Sequence, residues 1–145
     1  MSREILYRAK AIKDNEWVQG AYCHYDDIKD NGKDDCDYII EKHNGEYFPF
    51  REIIPETVGQ FTGLTDKNGK KIFEGDIVKD GAHTFKVCYY DYGWFCYCIS
   101  SKGYILPLHK YFRIGQWDNC ENNDFRKLEV IGNIHDNPEL MEKTK

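Results

Sequence analysis

Alanine is scarce in this chain: Ala9, Ala11, Ala21 and Ala82 are its only occurrences in 145 residues. Alanine is the strongest helix former, so long helices lose their best support. No apolar run approaches the ~20 residues that a membrane-spanning helix needs. Met1-Ser2-Arg3-Glu4 leads directly into a strand-like segment with no apolar stretch behind it, so no export signal is expected. Basic residues never run longer than Lys70-Lys71, and the net charge is −5. That balance suits neither the dense phosphate charge of a duplex nor an anionic lipid surface. Nucleic acid is therefore disfavoured as a partner, and no membrane association is expected. Gly-x-Gly-x-x-Gly loops, Walker loops and Gly-x-Ser-x-Gly elbows are all missing, which removes the familiar nucleotide-dependent and acyl-transfer chemistries. The expectation is a protein with no cofactor, no metal and no catalytic residues.

What is present points to β structure. Hydrophobic residues make up 41% and charged residues 31%, the balance of a globular chain. Aromatics reach 15%, with eleven Tyr, eight Phe and three Trp, and flat rings pack well on a pleated surface. Residues 16–25 alternate cleanly as one strand, as do 84–90 and 94–99. His43-Asn44-Gly45 between residues 38–40 and Tyr47-Phe48 is a hairpin signal, because both turn residues tolerate a positive φ. Pro49 and Pro55 confine the chain around them to edge or connecting segments. Residues 26–35 carry five Asp around Asn31-Gly32 and read as a loop. Residues 128–134 read as a last strand, with Asn137 as cap and Pro138 opening one helical turn. Residues 108–123 give no pattern.

The region 59–78 is the most structured in its punctuation. Residues 57–64 are extended, Asp66-Lys67-Asn68-Gly69 is a turn, and Glu74-Gly75-Asp76 is a second bend before Ile77-Val78. Gly59, Gly63, Gly69 and Gly75 recur every four to six residues, a spacing that suits the sharp corners of a small barrel. The expected architecture is all-β, with small SH3-like barrel-type strands, short hairpins and little helix. It divides as an N-terminal hairpin region over 1–58 and a barrel region over 59–145, or runs as one continuous domain.

Three stretches resemble the YopX family of phage and prophage proteins. They are Arg3-Glu4-Ile5-Leu6-Tyr7-Arg8 with Glu16-Trp17-Val18-Gln19-Gly20; residues 55–78, which include Gly63-Leu64-Thr65-Asp66-Lys67-Asn68-Gly69 and Phe73-Glu74-Gly75-Asp76-Ile77-Val78; and Val130-Ile131-Gly132-Asn133-Ile134-His135-Asp136-Asn137-Pro138-Glu139-Leu140. The resemblance implies an all-β fold with SH3-like character, encoded in bacterial mobile elements. It implies no activity and no catalytic residue. Residues 85–126 resemble the family least.

Four constellations bear on function. With no export signal, the six cysteines are expected as reduced thiols in a bacterial cytoplasm. If residues 91–93 form a three-residue loop, Cys88 faces Cys96, and Cys98 joins them; yet Cys-x-Cys is not the spacing of structural zinc, and buried thiols are the better reading. Asp76 beside Gly75 is expected to bond its own turn rather than act as an acid. His135-Asp136 lacks a nucleophile and reads as packing, so a small hydrolase is a distant alternative. The aromatic stripe with Tyr90, Tyr92, Trp94 and the later Trp117 is the candidate interface, because alternation forces half of it outward. The leading reading is a non-enzymatic phage accessory protein that binds a protein partner or self-assembles, ahead of a nucleic-acid-binding barrel.

Overall fold

The computed structural model describes residues 4–26, 35–43, 46–81, 83–90, 92–100, 105–107 and 128–142. The chain divides into two compact units, 1–61 and 62–145. Eleven strands make up the described residues, with two short 3-10 segments and no α-helix among them.

The first unit holds β1 (Tyr7–Lys10), β2 (Trp17–Asp26), β3 (Asp35–His43), β4 (Glu46–Glu52) and the start of β5 (Gly59–Thr65), in the spatial order β4-β3-β2-β1-β5. Every pairing is antiparallel. β2 changes neighbour midway: Trp17 to Gly20 pair with β1, and Ala21 to Asp26 pair with β3. Gly20 makes the change possible, because a Cβ there would lie 2.0 Å from the Ile40 carbonyl oxygen. The pairing of His43 with Glu46 closes the hairpin around the Asn-Gly dipeptide, and β4, with its Pro49, is an edge strand as proline requires. The core is small-residued: Ala9, Ala11, Val18, Ile39 and Ile53, with Tyr7 and Val58 against it. Residues 55–57, expected to be extended from Thr57 on, form a 3-10 turn; the Thr57 hydroxyl donates to the Ile54 carbonyl and accepts from the Lys10 amide at 2.9 Å.

The second unit holds the end of β5, then β6 (Lys71–Phe73), β7 (Asp76–Lys79), β8 (Thr84–Tyr90), β9 (Gly93–Cys98), β10 (Ile105–Pro107) and β11 (Glu129–Asn133). Five of these form an antiparallel sheet in the order β10-β9-β8-β7-β11. Ile72, Val78, Phe85, Val87, Cys96, Cys98 and Leu128 are its buried core. The strands form open sheets, and no closed barrel appears among the described residues. Short strands and positive-φ bends at Gly63, Gly69 and Gly75 are as expected, but the bends serve to lock turns rather than to close a barrel.

Candidate interaction surface

The turns that carry the most specific sequence pattern are built from side chains that satisfy backbone. Asp66 is buried; its Oδ1 accepts from the Asn68 and Lys70 amides, and its Oδ2 accepts from the Val130 amide at 2.9 Å. Burial raises its carboxyl pKa, but those three amides and the Lys70 charge outweigh it and hold the group below its ordinary value. Asp76 Oδ2 accepts from the Phe73 amide at 2.8 Å, as the sequence suggests. Gly75 has φ +87°, donates to the Val87 carbonyl and accepts from the Ile134 amide, so it ties the bend to the outgoing strands. Asn133 Oδ1 accepts from the His135 and Asp136 amides. Asn137 does not cap forward as expected: its Oδ1 turns back to the Asn133 amide, filling the space beside Gly132, where a Cβ would come within 2.5 Å of it. These bonds tie the turns of the second unit to its strands.

The cysteines separate. β8 and β9 pair with Tyr90 opposite Gly93, so the connection is two residues long, one shorter than the three-residue loop that would put Cys88 opposite Cys96. Cys88 instead faces Phe95 and donates weakly to its carbonyl at 3.6 Å, while Val87 faces Cys96. A one-residue slip sends side chains to opposite faces. Cys96 and Cys98 therefore lie in the core, and Cys88 lies on the outer face. Burial pushes the Cys96 thiol up to about 12 and raises that of Cys88. All five described cysteines are thiols rather than disulfides, and no group of three metal-ligating side chains occurs among the described residues.

The tyrosine stripe exposes apolar surface, as do Ile5, Ile12 and Phe50 in the first unit. Tyr92 is 94% exposed and Tyr90 58% exposed, with Tyr97 and Ile105 at 37% and 39%. Register places Lys86, Cys88, Tyr90, Phe95, Tyr97 and Ile105 on one face of β8–β10. Tyr90 packs edge-on against Phe95, centroids 5.9 Å apart, and Lys86 Nζ lies 5.8 Å from the Tyr97 centroid. Trp94 points to the other face, half-buried against the core, with Tyr89 packed edge-on at 5.2 Å. Of the expected interface residues, Tyr90 and Tyr92 are brought together in the open, Trp94 is a partly buried packing residue, and Trp117 lies outside the described residues.

One cluster has no mark in the sequence pattern. Asp37, buried on β3, accepts from the Tyr22 hydroxyl at 2.9 Å and lies 2.5 Å from His24 Nδ1. Burial, then the bond to Asp37, raises the Tyr22 phenol pKa. His24 and Asp37 are directly paired across β2 and β3. The alternation of Tyr22 and His24 on one strand is visible in the sequence, but the register that brings Asp37 between them is set across the acidic segment expected as a loop, whose residues 27–34 lie outside the described residues.

No helix among the described residues is long and apolar enough to cross a membrane. No curated protein matches the chain. Among solved structures it is similar to the crystal structure of protein EF1440 from Enterococcus faecalis, at 25% identity and a TM-score of 0.49, over 97% of this chain and 100% of that one. A family model described as YopX protein matches residues 6–142, so that the Asp66, Gly75 and Asn133 turns all lie inside the match. The chain belongs to the YopX family.

Proposed function

We propose that this chain is a non-enzymatic accessory protein of phage or prophage, a small SH3-like module that works in the bacterial cytoplasm by protein–protein contact through the outer face of β8–β10. The observation that supports it is the exposure of Tyr90 and Tyr92 on strands whose Phe85, Val87, Cys96 and Cys98 are buried in the core. Tyrosine is a frequent interface anchor, because its ring is apolar and its hydroxyl finds a partner when desolvated. Asp76, the acid weighed in the sequence, accepts from the backbone of its own turn, and Asp66 and Asn133 likewise accept from backbone amides. The test is retention from bacterial lysate on beads carrying the full chain. A protein held by the wild type and lost with the double variant Tyr90→Ser/Tyr97→Ser, at unchanged circular dichroism, supports the reading. Equal retention by the variant overturns it.

A second reading, single-stranded nucleic-acid binding, has Lys86 beside the Tyr97 ring in its favour. Against it stand the net charge of −5 and the edge-on packing of Tyr90 and Phe95, which uses ring surface that bases would need. Anisotropy of a labelled oligothymidine at low salt discriminates, with no binding at micromolar protein sinking it.

A further inference from the structure

Asn-Gly is the dipeptide most prone to spontaneous deamidation. The glycine amide nitrogen attacks the carbonyl carbon of the asparagine side chain, and glycine, with no Cβ, gives that approach no steric shield. A C–N bond forms and closes a succinimide ring. The amide proton and the side-chain amino group leave together as ammonia. Water then opens the ring to aspartate or to isoaspartate. No electrons are transferred, and water is the co-reactant. The sequence holds three such dipeptides, at 31–32, 44–45 and 68–69. The last lies in the turn between β5 and β6, where Asn68 and Gly69 are both exposed. Exposure admits water, so chain geometry is left as the brake.

That geometry is restrictive. The Gly69 amide, which would be the nucleophile, donates to the Asp66 carbonyl at 3.0 Å, and the Asp66 amide donates to the Lys70 carbonyl at 2.7 Å. Asp66 Oδ1 accepts from the Asn68 amide at 2.8 Å and from the Lys70 amide at 2.9 Å, one on each side of Gly69. The other oxygen of Asp66 is anchored on the Val130 amide, so the carboxylate that holds the turn is itself held. Ring closure requires the Gly69 nitrogen to swing toward the Asn68 side chain, which breaks its bond to the Asp66 carbonyl. We infer that Asn68 is a latent modification site, converted to aspartate or isoaspartate at a rate gated by opening of the turn that Asp66 holds shut. Local opening of a turn needs less free energy than global unfolding, so the reaction proceeds slowly in the folded chain. Isoaspartate adds one carbon to the main chain inside a tight turn, so a turn that has reacted does not close again in the same form.

Prolonged incubation of the full chain in mildly alkaline buffer, followed by mass-spectrometric mapping of its Asn-Gly peptides, tests it. In urea all three dipeptides should react and set the open-chain rate. In the folded wild type Asn68 should react roughly tenfold more slowly than in urea, or slower still. In Asp66→Ala, folded by circular dichroism, much of that protection should be lost. Lys67→Ala leaves these bonds in place and should keep it. Where Asp66→Ala does not fold, Asp66→Asn serves, because it keeps an oxygen for the two near amides without the charge; a faster reaction at Asn68 is again expected. An Asn68 rate as high in the folded wild type as in urea overturns the inference. Full wild-type protection in a folded Asp66 variant overturns it too.

Discussion

The β2–β3 pair of the first unit and the β8–β9 pair of the second are built from similar stock: long antiparallel strands, several tyrosines, a histidine or lysine, and two cysteines or more. They use it in opposite ways. On β2–β3 the Tyr22 hydroxyl is bound to a buried carboxylate, and Gly20 lets β3 pass at backbone distance. On β8–β9 Tyr90 packs edge-on against Phe95, Tyr90 and Tyr97 reach solvent, and a Cβ on Gly93 would meet only the Phe95 ring, at 3.4 Å. The first pair is closed by specific polar and backbone contacts; the second is closed on its core side and open on the other. Exposure of a tyrosine is informative only where its hydroxyl and ring are not already engaged within the chain.

Glycine gives the sharpest way to break this contrast. Gly20→Ala drives a Cβ into the Ile40 carbonyl and is expected to destabilise by about 4 kcal/mol, at the upper end of single substitutions, whereas Gly93→Ala is expected to change stability by less than ~1 kcal/mol. Urea unfolding followed by circular dichroism measures both. Asp66→Ala comes next, at about 3 kcal/mol, because it strands backbone donors that charge-assisted bonds had satisfied. Its pH dependence has a defined sign. The folded carboxyl titrates below its ordinary 3.8, so its contribution is fully present above pH 3.8 and is lost as pH falls through the folded value. The stability gap between wild type and Asp66→Asn should therefore shrink in acid, and a constant gap would contradict the assignment. Tyr22→Phe is expected to cost about 1 kcal/mol, and Tyr90→Phe nothing measurable, if only the first hydroxyl is engaged in the folded chain. The smallest effect is a gain: Tyr92→Asn relieves a positive φ and should raise stability by about 0.5 kcal/mol in thermal melts.

Much of this architecture is legible in the sequence because its signals are local. The Asn44-Gly45 hairpin, the Asp66–Gly69 turn and the Asp76 bond depend on residues within a few positions of one another. The strand alternation read over residues 84–90 and 94–99 is equally plain, but its register is not. Glycine is the natural holder of a positive φ in this connection, yet Tyr92 takes it and Gly93 does not. That exchange of roles shortens the loop by one residue and sends Cys88 to the face opposite Cys96. The Tyr22–Asp37–His24 cluster is hidden for a different reason, since pairing across a long acidic segment is set by packing on both strands and not by any short motif. No closed barrel appears among the described residues, because regularly spaced glycines specify bends, and bends alone do not decide whether a sheet closes.

The two oxygens of Asp66 bond at very different ranges. One takes amides two and four residues away; the other takes the Val130 amide, 64 residues along the chain. In time rather than in space, the first bonds can form as soon as the turn is made, and the last must wait until β11 has been synthesised and the intervening loop has closed. A single side chain thus spans an early and a late step of folding. Removing it should slow folding through the turn and speed unfolding through the strand, a split that chevron kinetics of Asp66→Ala would display in both arms.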